Sequence, residues 1–260
     1  MGAAGGGVWK TENAGRTWTS LFDKGPTAAM GAVAIAPSNP DVIYAGTGQP
    51  TPRYDVARGA GVFRTTDGGK TWRHTLKIDA DTGAVDLTVD PADPMTVFAT
   101  SWQARQYPWQ SYFTPISGPG SAVWRSDDGG ETFRKLGGEG WPTGPLGRLS
   151  VAATRTASGA LRLYAMVTPG EASGLYRSDD GGGHWARVNA EDAFTGYYAS
   201  HIAVAPNDPD TVYLVGQSVR RCDQGGAHCE IIRGSPGGDD YHFIWINPKD
   251  PGHWATASDQ

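Results

Sequence analysis

The segment Gly174-Leu175-Tyr176-Arg177-Ser178-Asp179-Asp180-Gly181-Gly182-Gly183-His184-Trp185 is one of four copies of a single pattern in this chain. The others are Gly61-Val62-Phe63-Arg64-Thr65-Thr66-Asp67-Gly68-Gly69-Lys70-Thr71-Trp72, the stretch Ala122–Phe133, and Gly7–Trp18 near the start. Each copy reads as an apolar strand, a turn of Asp and Gly, and a second strand. Glycine supplies the positive φ that tight hairpin turns need. A second unit alternates with the first: Val33-Ala34-Ile35-Ala36-Pro37, then Asp41-Val42-Ile43-Tyr44-Ala45, a two-stranded element with Pro and Asn/Asp in its turn. It recurs at Leu87 to Ala99, at Leu149 to Ala165 without the proline, at Ile202 to Leu214 and at Ile244 to Ala255.

Two hairpins per period of about 50 residues make a four-stranded sheet, the blade of a β-propeller. The chain opens with a second-type hairpin (8–18) and ends with a first-type one (243–257). Five blades are therefore expected, in a single all-β domain over 1–260, with the N- and C-terminal hairpins sharing one blade. Composition agrees. The 37 glycines and 18 prolines in 260 residues, against a usual combined share of roughly 12%, exclude a mostly helical protein. Ten Trp, ten Tyr and seven Phe supply core.

The Ser/Thr-x-Asp-x-Gly-x-Thr-Trp/Phe turns at 65–72 and 126–133 resemble Asp-boxes, the bacterial neuraminidase repeat. Together with Gly5-Gly6-Gly7-Val8-Trp9-Lys10-Thr11 they make the chain similar to sortilin-like (VPS10-type) and glycosyl-hydrolase-like propellers. The resemblance implies the propeller fold across nearly the whole chain, in a family that holds both enzymes and sorting receptors. The first turn departs from the pattern with Asn13, the fourth with His184, and the region around Glu230–Arg233 has no box. Asp67, Asp128 and Asp180 are expected to bond their own turns and to have no catalytic role.

Aligning the inner strands on Pro37, Pro91, Pro206 and Pro248 puts Ala32, Asp86, Arg148, His201 and Phe243 in one column at the channel mouth, with Gly31, Val85, Gly147, Ser200 and His242 just before them. Ionisable groups arriving from separate blades can make a converging polar site or a buried network that plugs the channel. The loop 234–242 brings Asp239, Asp240, Tyr241 and His242 to the same mouth. Its two carboxylates suit either Ca²⁺ ligation or acid/base work. The loop from Trp102 through Tyr107, Trp109 and Tyr112 offers exposed rings for stacking on a sugar or gripping a peptide. Arg53, on another rim loop, suits a carboxylate.

The candidate catalytic set is therefore Asp86, Arg148, His201, Asp240 and His242. The substrate-binding set is Arg53, Trp102, Tyr107, Trp109, Tyr112 and Tyr241, and the metal set is Asp239 and Asp240. The expected function is a hydrolase related to glycoside hydrolases, acting at the mouth on a glycoside or, by analogy with other propellers, as a Ca²⁺-dependent lactonase or esterase. The alternative is a non-catalytic sortilin-like module that binds a peptide or glycan. A net charge of −5 without basic runs argues against nucleic acid. No apolar run reaches the roughly 18 residues of a membrane span. A monomer is expected. Cys222 and Cys229 can pair, which suits a secreted or periplasmic setting.

Overall fold

The computed structural model describes residues 1–51, 56–105, 107, 109, 117–168, 171–191, 201–236 and 238–258. Its described residues form antiparallel sheets with no α-helix. A three-stranded sheet comes first: β1 (Gly2–Ala3), β2 (Gly7–Lys10) and β3 (Thr19–Ser20). Four complete four-stranded blades follow. They comprise β4 (Met30–Ala36), β5 (Asn39–Thr47), β6 (Gly61–Thr65) and β7 (Arg73–Leu76), then β8 (Thr82–Val89), β9 (Val97–Gln103), β10 (Ala122–Ser126) and β11 (Arg134–Lys135). The third holds β12 (Leu149–Arg155), β13 (Leu161–Val167), β14 (Gly174–Ser178) and β15 (Ala186–Asn189), and the fourth β16 (His201–Ala205), β17 (Asp208–Val215), β18 (Val219–Asp223) and β19 (His228–Arg233). A two-stranded sheet, β20 (Tyr241–Ile246) with β21 (Trp254–Ser258), comes last.

This is the expected β-propeller architecture, with one correction. The terminal hairpins do not share a blade: β20–β21 and β1–β2–β3 are separate sheets. The reason is local. β1 pairs with β2 through Gly2↔Val8 and Ala3↔Gly7, so the edge that β21 would have to join is already occupied. Trp9 N bonds Met1 O at 2.8 Å, which extends that pairing to the first residue.

The core lies in layers between successive sheets, because each strand buries one side chain set against the preceding blade and the alternate set against the following one. Phe98 and Val123 of the second blade meet Leu149, Val151 and Leu163 of the third. Tyr164, Met166 and Leu175 of the third meet Ile202, Val212 and Leu214 of the fourth. Tyr213 and Val215 of the fourth meet Tyr241, Ile244 and Ile246 of the last sheet. At the inner ends of the first two blades the main chains touch: a Cβ on Gly31 would sit 2.4 Å from Ala84 O, and one on Gly59 2.4 Å from Gly83 Cα.

The Asp-Gly turns explain the hairpins. In the second blade Asp128 Oδ1 accepts the amides of Glu131 (3.0 Å) and Thr132 (2.9 Å), while Ser126 Oγ donates to Asp128 (2.7 Å) and accepts Gly130 N (2.7 Å). Asp67 and Asp180 make the same kind of bonds, and Asn13 does so through its amide oxygen. These donors hold all three carboxyls below the usual carboxylate range, Asp128 at about 2. Each is committed to its own turn. Successive blades are then pinned at the hairpin turns of their neighbours: Tyr44 donates to Gly129 O (2.7 Å), Arg125 to Gly181 O (2.8 Å) and Arg177 to Gly225 O (3.4 Å).

Candidate active-site mouth

The column of residues counted from the prolines is set up by β-bulges. Pairing jumps from Met30↔Thr47 to Ala32↔Gly46 in the first blade, from Ala84↔Ser101 to Asp86↔Thr100 in the second, and from Tyr241↔Ser258 to Phe243↔Ala257 in the last sheet. The skipped residues are Gly31, Val85 and His242. A bulge bends its strand and re-aims the side chain after it, and here it does so at the same place in three inner strands.

Three consecutive blades meet at Asp86, which is 4% exposed. Its Oδ1 accepts Leu87 N at 2.9 Å, and its Oδ2 accepts Ser150 Oγ of the next blade and Val151 N at 3.2 Å. His201 Nδ1, from the blade after that, lies 3.6 Å from the same Oδ2. Burial pushes the Asp86 carboxyl up, but His201, Ser150 and Arg148 together outweigh it and hold it below its ordinary value. Arg148 is buried too, and its Nε donates to the carbonyl of Pro50. Burial lowers it to about 10, with the charge of Asp86 acting the other way, so it stays cationic at neutral pH. His201 stacks on Phe243 with centroids 5.0 Å apart, and Phe243 is half exposed.

Asp86, Arg148 and His201 are thus brought together as the alignment expected. Sequence reasoning missed Ser150, which donates to Asp86 and accepts Ile202 N at 3.0 Å, so that one hydroxyl couples three blades. Its only signal was a serine between the core residues Leu149 and Val151.

Asp239, Asp240 and His242 are half-buried at the entrance to β20, and Asp240 has a left-handed φ of 52°. Among the described residues no group of three or more His, Cys, Asp or Glu side chains is gathered as a metal site. The Asp239–Asp240 pair would supply two carboxylates of the six to eight oxygens that Ca²⁺ takes. Tyr241 is a correction: it is buried in the layer between the fourth blade and the last sheet, with its amide bonded to Gly216 O at 2.8 Å. It faces core, not ligand.

Trp102 is a second correction. β9 runs on through Gln103, so Trp102 lies in the sheet opposite Gly83, 3% exposed, against Val85 and Ala104. Beyond it, two of the expected rings, Tyr107 and Trp109, lie among the described residues. Trp109 is 79% exposed and stacks on Tyr107 with centroids 4.9 Å apart and planes 12° apart. The Arg105 guanidinium sits 4.9 Å over the Tyr107 ring and is itself tied to Asp81. Tyr112 and Arg53 lie outside the described residues.

No protein-family model matches the chain. It is 28% identical over 267 residues to a xyloglucanase of Hypocrea jecorina, covering 98% of this chain and 27% of that protein. A xyloglucanase of a Paenibacillus species is 28% identical over 221 residues, covering 75% of this chain and 20% of that one. The chain therefore spans about a quarter of the length of the curated relatives it matches. Among solved structures, the GH74 enzyme of Niastella koreensis superposes with a TM-score of 0.67 at 16% identity, over 97% of this chain and 38% of that one. The GH74 xyloglucanase of Xanthomonas campestris gives 0.57 at 19% identity, over 98% and 43%. The fold is that of these glycoside-hydrolase propellers.

Proposed function

We propose that this chain is the propeller of a glycoside hydrolase directed at xyloglucan or a closely related β-glucan, in a secreted or periplasmic setting. The observation that carries the reading is similarity to xyloglucanases along 98% of the chain. The exposed Tyr107–Trp109 stack supports it, since a flat aromatic surface edged by Arg105 suits the apolar faces and hydroxyl rims of sugar rings. The Cys222–Cys229 disulfide fits an oxidising compartment.

At the mouth the residues divide by burial. Asp86 and Arg148 are enclosed and committed to protein partners, so they orient His201 and fix the blades. Asp240 and His242 are half-buried at the entrance to β20, partly open to a substrate at the mouth. Glycoside hydrolysis needs a carboxylic acid to protonate the leaving oxygen and a second group to activate water or attack. Asp240 fills the first role and His242 or Asp239 the second.

A specific observation also favours a second reading. Asp86 is saturated by Ser150, Val151 and Leu87, which is what an inter-blade clamp in a purely binding module would show. Incubation with xyloglucan, mixed-linkage glucan and cellulose, followed by reducing-end release and by calorimetric binding of xyloglucan oligosaccharides, separates the two. Release that disappears in Asp240→Asn supports the hydrolase. Binding without release in the parent chain supports the module, and neither binding nor release overturns both.

A further inference from the structure

The fourth blade lacks an Asp-Gly turn, yet its hairpin follows the same template. Cys222-Asp223-Gln224-Gly225-Gly226-Ala227-His228-Cys229 aligns without a gap on Ser178-Asp179-Asp180-Gly181-Gly182-Gly183-His184-Trp185. Three independent features fix the alignment. The paired left-handed glycines coincide, with φ of 69° and 92° at Gly225 and Gly226 against 73° and 106° at Gly181 and Gly182. The flanking cross-strand pairs coincide, Arg221↔Glu230 with Arg177↔Ala186. The Arg–Asp pair two residues apart recurs as Arg221–Asp223, Arg177–Asp179 and Arg125–Asp127.

On this template the cysteines stand at the first and last positions of the turn segment. Elsewhere those positions hold the hydroxyl residue that bonds the Asp and the aromatic residue that closes the hairpin: Thr65 and Trp72, Ser126 and Phe133, Ser178 and Trp185. The Asp itself is replaced by Gln224, whose φ is 54°. Cys222 and Cys229 face each other directly across β18 and β19 and are bonded.

We infer that the disulfide replaces the Asp-centred hydrogen-bond clamp of the other blades, making the β18–β19 hairpin the one redox-controlled clasp among the four complete blades. Reduction takes two electrons and two protons from a dithiol, which becomes a cyclic disulfide, and leaves two thiols with Gln224 where the other turns hold their clamping Asp. The hairpin then frays, and the bond from Arg177 of the third blade to Gly225 O is lost with it. The other three hairpins hold no sulfur and stay closed.

Hydrogen exchange read by peptide mass spectrometry tests this on the intact chain. With dithiothreitol under native conditions, exchange across 219–233 rises by on the order of 10- to 100-fold, as expected for loss of a short covalent loop, while 61–76, 122–135 and 174–189 are unchanged. C222S/C229S shows the raised exchange without reductant. C222S/Q224D/C229W, which rebuilds the turn of the third blade, restores slow exchange and is indifferent to dithiothreitol. Unchanged exchange at 219–233 once the thiols are shown to be free overturns the inference, as does a folded triple variant no better protected than C222S/C229S. If the triple variant does not fold, the reduction of the parent chain decides alone.

Discussion

Asp86 and His201 stand on inner strands two blades apart, yet His201 Nδ1 lies 3.6 Å from Asp86 Oδ2, and Ser150 of the blade between them donates to the same oxygen. One carboxylate thereby gathers three sheets. Removing its charge leaves His201 and the buried Arg148 without their anion. Asp86→Asn is expected to destabilise by on the order of 3 kcal/mol, and Ser150→Ala by roughly 1–3 kcal/mol, because Asp86 and Ile202 N each lose a partner. Urea unfolding of both variants is the measurement. Midpoints within error of the parent would show that the three-blade contact contributes no stability.

The aromatic residues after β9 make opposite predictions. Trp109→Ala removes an exposed ring, so binding of a xyloglucan oligosaccharide weakens by roughly 5- to 150-fold, the equivalent of about 1–3 kcal/mol, with the melting temperature unchanged. Trp102→Ala empties a buried site and lowers stability by roughly 3–5 kcal/mol. Calorimetry and thermal unfolding on the pair decide: a melting drop in Trp109→Ala, or intact binding in that variant, would refute the platform.

Acid should loosen the hairpins. Asp128 has a folded-state value of about 2 against an ordinary 3.8, set by bonds from Thr132 and Ser126. A depressed carboxyl contributes stability above its unfolded value and loses it as pH falls towards the folded one. Melting temperature is therefore expected to fall between pH 4 and pH 2, and less steeply in Asp128→Asn, which starts lower but no longer titrates. Parallel curves for the two proteins would remove Asp128 from the acid response.

His184 titrates in the other direction. Its Nδ1 meets Asp180 Oδ2 at 2.5 Å, and that bond raises its value above the ordinary 6.5. The contribution is complete below pH 6.5 and is lost as pH rises through the raised value. His184→Thr, which restores the residue of the neighbouring turns, should abolish this alkaline decline in melting temperature between pH 6 and pH 9. A decline that persists in the variant assigns it to another group.

How far the sequence could be read depended on where its information is local. The hairpins were legible because Gly68-Gly69, Gly129-Gly130 and Gly181-Gly182 need left-handed backbone that few other residues adopt. The mouth column was legible because register counts outward from the prolines. The bulges at Gly31, Val85 and His242 were not, since a skipped pair depends on the partner strand. Nor was β1: Gly2-Ala3 has no strand signal, and only its pairing with Gly7 and Val8 makes it one. Trp102 was misjudged because the end of β9 cannot be placed from composition, and Val85 and Val56, which pack with the indole, lie on other segments. The turn of the fourth blade was hidden because both end residues and the central acid are substituted, leaving the Gly225-Gly226 pair, the Arg221–Asp223 spacing and the spacing of seven between Cys222 and Cys229.

The glycine contacts between the first two blades have a consequence for how this arc can change. Gly31 and Gly46 both approach the Ala84 carbonyl, and Gly59 approaches Gly83, so main chain rests on main chain there. At those inner ends a Cβ has no room, so substitution there displaces backbone, whereas farther out the same joint is packed by Tyr44, Val62, Leu87 and Val97. The next joint is held at its inner end by the side chains of Asp86 and Ser150 instead. A change of curvature at the first joint therefore has to come from its outer, side-chain-packed part, with the glycine contacts as the pivot.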